Sequence, residues 1–373
     1  MSQGRISSLD GLRAGCALMV MAGHLVTESG LPHYAILDGL LSFGVEAVMG
    51  FFVLSGFLLT GQPAGSPRRF IALRLVRILP LYYVAAIFCL VAMMLTGGGV
   101  TPASVVANFL LVQSLNWEPL YPMISFGQSW SLSYEVWFYV GYAAILAVPW
   151  LRTPLVAASL AAGASLYLWP QGPGPVTAFA HFLAFFSIWM LGNLVVALRR
   201  RGHTVSVATG VFMLAVGLCL GHVPLSSPAK FDYARLLGFA IGFTVLLWSL
   251  LPEPPGPRGR KFDLGLVPRV LVAAVTLLLL WLHSESFRAT KWEFTVLLVL
   301  ATLAPAAIAR PAGRFLQPAM PMLGYVAGLS YALYLIHYPL LHLFNRLGVL
   351  SPLPKILVVA VLSFLAAHVM DLS

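Results

Sequence analysis

The chain of 373 residues is 60% hydrophobic, only 9% charged, and has a formal net charge of +10. Soluble globular proteins carry roughly 45–50% apolar and about 25% charged residues, so this composition excludes an aqueous α/β enzyme, a secreted disulfide scaffold and a disordered chain. The positive charge does not require a nucleic-acid partner, because the basic residues of a membrane protein collect on its cytoplasmic loops. We therefore predict a protein that membrane lipid largely covers and that binds no nucleic acid.

Twelve apolar segments are candidates for membrane-spanning helices, which need about 20 mostly apolar residues each. Their apolar runs are continuous and lack the alternation of a barrel strand, which favours helices. The fifth and ninth are short, so we predict an all-α, polytopic transmembrane bundle of about 10–12 spans that forms a single domain over residues 1–373. In chain order the segments are residues 12–30, 40–61, 71–95, 130–149, 154–169, 176–198, 204–221, 236–251, 268–283, 293–309, 322–344 and 354–370.

The basic residues divide unevenly between the ends of these segments. With the N-terminus inside, sixteen of the 22 Lys and Arg residues lie at inner ends and six at outer ends. The positive-inside rule therefore predicts that both termini are cytoplasmic. The first segment contains a histidine and lacks a clear small-residue cleavage site, so we interpret it as a permanent helix rather than a signal peptide.

The three cysteines, Cys16, Cys89 and Cys219, all lie within apolar segments. Their positions indicate neither a disulfide framework nor a metal-ligand spacing. We therefore expect no metal site.

The first segment carries two ionisable residues, Arg13 and His24. Residues eleven apart on a helix are separated by three turns plus roughly 20° and by a rise of about 16 Å, so both side chains leave one face. Arg13 then lies near the cytosolic surface and His24 near the middle of the membrane, where an ionisable group is costly and is a functional candidate by default. The alternative is that Arg13 snorkels to the lipid headgroups and that His24 is a packed core histidine.

Arg74 and Arg77 lie three residues apart at the cytoplasmic start of the third segment. Two guanidinium groups on one helix face suit a phosphate or pyrophosphate group that arrives from the cytosol. The alternative is that they are positive-inside anchors, which is the interpretation we prefer for the neighbouring Arg68 and Arg69.

Glu135 lies near the outer start of the fourth segment, within the aromatic sequence at 130–139. The aromatic residues alone would form an interfacial belt, but a carboxylate within a span must be paired, hydrated or protonated. Because aromatic rings stack on sugar faces and a carboxylate accepts hydrogen bonds from hydroxyl groups, a sugar would fit there. His337 lies in the outer half of its segment, at a depth close to that of His24.

Five short motifs occur in order across residues 6–345. They are ISSLDGLRA at 6–14 followed by His24, FFVLSGF at 51–57, RLVRILP at 74–80, WSLSYEVWFY at 130–139, and SYALYLIH at 330–337. Together they resemble the motifs of the acyltransferase 3 family of multi-pass membrane acyltransferases. Each motif is short, and the specificity of the resemblance comes from all five in register.

The resemblance implies an O-acyltransferase of the bacterial inner membrane, in a stand-alone form without an SGNH-type extracellular domain. The family transfers an acyl group, commonly acetyl, from cytosolic acyl-CoA to a hydroxyl group of a glycan, a lipid-linked sugar or a related acceptor. Acyl-CoA is then a co-substrate, and no tightly bound cofactor is expected. By the same resemblance His24 is the general base and Glu135 a second catalytic residue. The donor-binding residues are then Arg13, Arg74 and Arg77, and the acceptor-site or supporting residues are Asp10, Ser55, Trp130, Tyr139 and His337.

Two other function classes fit the same residues. In a transporter or flippase they would form a substrate or ion pathway, although no internal repeat is visible in the sequence. In a receptor or scaffold they would be structural. Ser55 is also available as the nucleophile of a covalent acyl-enzyme, but a Ser-Gly pair within a helix is more often a close helix contact. The identity of the acceptor, the acyl length and the oligomeric state stay open.

Overall fold

Almost all regular structure in the chain is helical. The computed structural model describes residues 3–31, 43–61, 65–115, 123–168, 175–221, 233–254, 259–283, 291–305 and 317–371. In these ranges there are thirteen α-helices, three short 3-10 helices and one two-stranded parallel sheet. This confirms the predicted all-α class.

The elements have the following bounds. The α-helices are α1 (Gln3–Thr27), α2 (Gly44–Thr60), α3 (Pro67–Leu95), α4 (Pro102–Phe109), α5 (Trp130–Ala147), α6 (Arg152–Leu168), α7 (Pro175–Arg200), α8 (Val207–Leu220), α9 (Tyr233–Leu250), α10 (Leu266–His283), α11 (Lys291–Leu303), α12 (Met320–Leu347) and α13 (Pro352–Asp371). The 3-10 helices are Gln113–Leu115, Ile124–Ser129 and Pro149–Leu151, and the strands are β1 (Thr204–Val205) and β2 (Lys261–Phe262).

Each of the twelve predicted segments corresponds to one of these helices, and the parts of three segments at 40–42, 169 and 306–309 lie outside the described residues. By length and composition, six helices of the described residues are able to cross a membrane, in α1, α3, α7, α9, α12 and α13. Four further apolar helices, in α2, α8, α10 and α11, are shorter. A helix of 17 residues such as α2 is about 25 Å long, slightly less than a hydrocarbon core of about 30 Å.

Large apolar side chains are exposed on the surfaces of several helices. Val76 on α3 is 74% exposed, Leu271 on α10 is 63% exposed, and Leu357 on α13 is 67% exposed. Soluble monomers rarely expose extended apolar surface, so lipid is the solvent that suits these faces. The helices and their surfaces are those of a multi-pass membrane protein.

The described residues pack into two compact units. The first unit draws on residues 1–16, 34–62 and 188–327, and the second on residues 17–33, 63–187 and 328–373. The beginning of α1 therefore belongs to the first unit and its end to the second. Compact units do not define the number of domains, so the single domain over 1–373 stays a prediction.

In the first unit, α2 and α7 cross at two glycines. A Cβ atom on Gly56 would lie 2.0 Å from the backbone oxygen of Trp189, and one on Gly192 would lie 2.2 Å from the backbone oxygen of Val53. A side chain at either position would force the helices apart. The two glycines therefore set the distance between α2 and α7.

A short polar clasp joins β2 to the start of α8, at the predicted cytoplasmic end of the first unit. Ser206 caps α8 by accepting a hydrogen bond from the backbone N–H of Thr209. Asp263 accepts hydrogen bonds from the hydroxyls of Ser206, at 2.5 Å, and Thr209, at 3.1 Å. The hydrogen bond from Ser206 lowers the pKa of Asp263, so the clasp contains a carboxylate at neutral pH.

In the second unit, buried polar side chains fix the chain just before α5. Gln113 donates through Nε2 to the hydroxyl of Tyr82, at 3.0 Å, and to the backbone oxygen of Ser129, at 3.1 Å. The hydroxyl of Ser129 donates to Oδ1 of Asn108 at 3.2 Å. Because buried polar groups need partners, these bonds select one path for the segment that leads into α5.

Pro339 lies inside α12 and interrupts its backbone hydrogen bonds, because proline has no N–H to donate to the carbonyl oxygen of Leu335 four residues earlier. Gln128 supplies the missing donor, since its Nε2 lies 2.9 Å from that oxygen. In return, the hydroxyl of Tyr334 donates to the backbone oxygen of Gln128 at 2.6 Å. The segment before α5 therefore supports the turn of α12 that carries His337.

Candidate functional site

Two histidines that the sequence places at similar depth are in contact in the second unit. His24 comes from α1 and His337 from α12, and Nδ1 of His24 lies 2.9 Å from Nε2 of His337. The rings are nearly parallel, at 20°, with centroids 5.2 Å apart. His337 is fully buried, whereas His24 is partly exposed. His337 is therefore the buried member of the pair, and His24 is the member that solvent or a substrate can reach.

The hydrogen bonds of the pair assign the protons of both rings. Nδ1 of His337 lies 2.8 Å from the carbonyl oxygen of Leu333. A carbonyl oxygen only accepts, so this nitrogen carries the proton and Nε2 of a neutral His337 is an acceptor. The Nδ1 of His24 must then donate, and the lone pair of a neutral His24 lies on Nε2. His337 thus fixes the tautomer of His24 that has its basic nitrogen on the other side of the ring.

A carboxylate, which the sequence analysis missed, lies one helical turn from His24. Glu28 Oε1 accepts a hydrogen bond from the hydroxyl of Tyr338 at 3.3 Å, and Oε2 accepts one from Nε2 of His342 at 3.1 Å. The ring of Tyr338 makes edge contact with the ring of His24, at 4.7 Å between centroids. The spacing of four residues between His24 and Glu28 was a signal in the sequence, because it puts both side chains on one helix face.

Glu135 lies beside Tyr139 on α5, and the ring of Tyr139 contacts α3, the helix that carries Arg74 and Arg77. The hydroxyl of Tyr139 donates to Oε1 of Glu135 at 2.6 Å. The ring of Tyr139 meets the ring of Phe70 edge-on, and the guanidinium of Arg74 lies 5.7 Å from the centroid of the Phe70 ring. The structure therefore brings together three residues that the sequence singled out separately: Glu135, Tyr139 and Arg74.

The two predicted donor arginines differ in environment. Arg77 is exposed, whereas Arg74 is partly buried and its Nε atom has no hydrogen-bond partner among the described residues. A buried donor without a partner costs about 1–3 kcal/mol. An anionic oxygen beside Arg74 would remove that cost, and Arg77 would interact with the same anion through more solvent. Arg68 and Arg69 are exposed, in keeping with their interpretation as anchors.

Trp130 packs among other aromatic rings of the second unit. Its ring meets Tyr134 edge-on at 5.7 Å and Phe185 at 6.4 Å between centroids. Part of its surface is exposed. The role of Trp130 at an acceptor site stays a prediction, and these contacts show that it also packs within the second unit.

Asp10, Arg13 and Ser55 belong to the first unit, unlike the other predicted site residues. The indole N–H of Trp189 donates to the hydroxyl of Ser55 at 3.3 Å, directly beside the close crossing at Gly56. This contact favours the packing interpretation of Ser55 over that of a nucleophile. Asp10 and Arg13 are partly buried on α1.

Metal ligation finds no support among the described residues. They contain no group of three or more His, Cys, Asp and Glu side chains that could hold a metal ion. Cys16, Cys89 and Cys219 are free and buried.

Comparison with known proteins agrees with the motifs. Residues 6–262 match a family model described as "Acyltransferase domain". A curated relative, "Acyltransferase MdmB" from Streptomyces mycarofaciens, is 36% identical over 176 residues, which are 42% of this chain and 44% of the relative. The match thus covers less than half of that protein's length. No solved structure is significantly similar to the chain.

Proposed function

The chain belongs to the acyltransferase 3 family, and from that premise we propose that this membrane acyltransferase moves an acyl group, acetyl as is common in the family, from acyl-CoA to a hydroxyl group. The donor binds from the cytosol. The acceptor is a glycan, a lipid-linked sugar or a related molecule at the opposite face of the inner membrane. The apolar helices support a location in a membrane, and the proposed chemistry requires no resident cofactor.

The observation that carries this proposal is the contact between His24 and His337. With His337 as acceptor, His24 holds its lone pair on Nε2 and is a suitable general base. The acceptor hydroxyl oxygen attacks the thioester carbonyl carbon while its proton moves to His24 Nε2. The tetrahedral intermediate then collapses, the C–S bond breaks, and the same proton passes to the leaving thiolate. The products are an ester and free CoA.

The donor side of the proposal depends on Arg74. Its partly buried guanidinium, with Nε lacking a described partner, suits a CoA phosphate oxygen that forms a charge-assisted hydrogen bond. Arg77 is three residues away on the same helix and adds charge at the predicted cytosolic surface. Arg13, at the predicted cytosolic end of α1, stays a predicted donor-binding residue by the family resemblance alone.

Glu135 is the second candidate for acid–base work. The hydrogen bond from Tyr139 fixes one carboxylate oxygen of Glu135. Tyr139 contacts Phe70, and the Phe70 ring in turn contacts Arg74. A carboxylate there would orient the reacting groups, or would replace His24 as the base if His24 proved dispensable.

The direct test is acyl-CoA turnover by the purified chain. We expect release of free thiol from acetyl-CoA that depends on the acceptor, together with loss of O-acyl groups from the envelope glycans of a deletion strain, measured by mass spectrometry. A transporter or flippase would move its substrate without cleaving the thioester. A receptor or scaffold would leave acetyl-CoA intact in every condition.

A further inference from the structure

The carboxylate of Glu28 is fixed beside the proposed base. Glu28 follows His24 by four residues, and its backbone N–H donates to the carbonyl oxygen of His24 at 3.0 Å, which continues the helical turn. One such turn rises about 6 Å and returns to the same face. On the predicted topology, Glu28 therefore lies on the outer side of His24, the side from which the proposed acceptor arrives.

The carboxylate has capacity for a ligand. Each of its oxygens has one hydrogen bond in the cluster, from Tyr338 and from His342. An ionised carboxylate offers about four lone-pair sites, so further donors can be accommodated. The Glu28 side chain is 35% exposed and that of His342 is 17% exposed, so the remaining sites are open to molecules from outside.

The backbone that carries Glu28 is held independently of its carboxylate. Asn345 donates through Nδ2 to the carbonyl oxygen of Glu28 at 2.9 Å. Lys355 donates to the carbonyl oxygen of Ser29 at 3.1 Å and to Oδ1 of Asn345 at 2.8 Å. The carboxylate of Glu28 takes no part in these bonds, so a change of the Glu28 side chain alone leaves the backbone of this turn held in place.

We propose that Glu28, flanked by Tyr338 and His342, binds the acceptor through its hydroxyl groups and thereby places one further hydroxyl at His24. Two adjacent hydroxyl groups of a sugar or polyol match the two oxygens of a carboxylate. An acceptor with a single hydroxyl would reach His24 without this contact. The inference rests on the proposed acyl transfer, and it names the acceptor class as polyhydroxy compounds without a negative charge near the reacting hydroxyl.

The test compares two acceptors with the full-length chain and acetyl-CoA. Methyl α-D-glucopyranoside offers several hydroxyl groups and ethanol offers one. For the wild-type chain we expect a larger kcat/KM for the glucoside than for ethanol. In Glu28→Gln an amide replaces the charged acceptor, and we expect the ratio of the two kcat/KM values to fall by about tenfold, the smaller end of the loss for one hydrogen bond to a charged group. The change should appear in the KM for the glucoside rather than in the KM for acetyl-CoA.

Lys355→Met is the matched control, because it removes a tie to the same turn and leaves the carboxylate in place. We expect it to keep the ratio of wild type. Equal use of both acceptors by the wild type, or an unchanged ratio in Glu28→Gln, would overturn the inference. So would an equal fall of the ratio in Lys355→Met, since that result would make Glu28 a structural residue. Failure of the proposed function looks different: the wild type would release no thiol from acetyl-CoA with either acceptor.

Discussion

The hydrogen bond between His24 and His337 decides which ring nitrogen of a neutral His24 can accept a proton. Nδ1 of His24 faces His337 at 2.9 Å, so in the proposed mechanism Nε2 is the atom that accepts a proton from the acceptor. His24→Ala should lower acyl transfer by about 10²-fold or more, the usual scale for a positioned general base. His24→Asn, of similar shape but not basic, should be nearly as inactive. Donor affinity, measured by binding of acetyl-CoA, should survive in both variants. A folded variant that kept most of its transfer rate would move the search for the base to Glu135 or His337.

In the proposed mechanism His337 positions His24 and takes no proton from the acceptor, and two variants separate this positioning role from packing. Gln at 337 can present its side-chain oxygen to the Nδ1 proton of His24, while Phe fills the space without an acceptor. We therefore expect His337→Gln to retain clearly more of kcat than His337→Phe, with similar KM values for acetyl-CoA. Equal kcat in the two folded variants would mean that His337 only packs.

Arg74 and Arg77 should differ as donor-binding residues because their exposure differs. Loss of a desolvated charge-assisted contact in Arg74→Ala should cost about 1.5–3 kcal/mol, or roughly ten- to a hundredfold in acetyl-CoA affinity. Arg77→Ala should cost less, since water screens an exposed charge. Calorimetric titration of the purified variants measures both, with the exposed Arg68→Ala as control. Wild-type affinity in the folded double variant would leave both arginines as topology anchors.

The sequence pointed to single residues of the candidate site but not to the contacts between them. Motifs and cost of burial pointed to His24, His337, Glu135 and Arg74, but His24 and His337 are 313 positions apart, and no local pattern shows that their nitrogens meet. Glu28 was missed although it lies one turn from His24, because it falls at the helix end, where a carboxylate is ordinary. Its side-chain contacts, Tyr338 and His342, come from another helix, which no local pattern shows.

At the scale of elements, Pro339 and Gln128 form a pair whose coupling is measurable. Gln128→Leu leaves the carbonyl oxygen of Leu335 buried without its side-chain donor. The free energy of unfolding should fall by about 1–3 kcal/mol, the cost of an unsatisfied buried polar group. In a Pro339→Ala background the alanine N–H can bond to the same oxygen, so Gln128→Leu should cost clearly less there.

Denaturant or thermal unfolding of the four proteins in detergent gives this double-mutant cycle. Costs that simply add would show that Gln128 does not compensate for the proline. The sequence predicts a helix over 322–344 and shows a proline within it. The sequence could not predict that the Gln128 amide replaces the missing donor, because Gln128 lies about two hundred residues earlier in the chain.

At the scale of the whole molecule, apolar length predicted the helices, while grouping into units depended on side-chain packing. Each of the twelve predicted segments has a helix in the described residues. In lipid, the backbone of a continuous apolar run can satisfy its hydrogen bonds only within a helix or a closed barrel. The division at Cys16 in the middle of α1 has no counterpart in composition. It separates Arg13 and Ser55 from His24 and His337, so the roles of Arg13 and Ser55 stay predictions that single substitutions must test.

The orientation of the whole chain decides whether donor and acceptor arrive from opposite sides. Sixteen of 22 basic residues lie at one set of helix ends, and the positive-inside rule places those ends in the cytosol. A reporter fused at residue 201, the last of three consecutive arginines at the end of α7, should therefore behave as cytosolic, and one fused within residues 97–128 should behave as periplasmic. Alkaline phosphatase and green fluorescent protein fusions give opposite signals on the two sides, and each checks the other. Exchanged signals would put Arg74 and Arg77 in the periplasm, where acyl-CoA is absent, and would end the argument for a cytosolic donor while leaving the His24–His337 pair untouched.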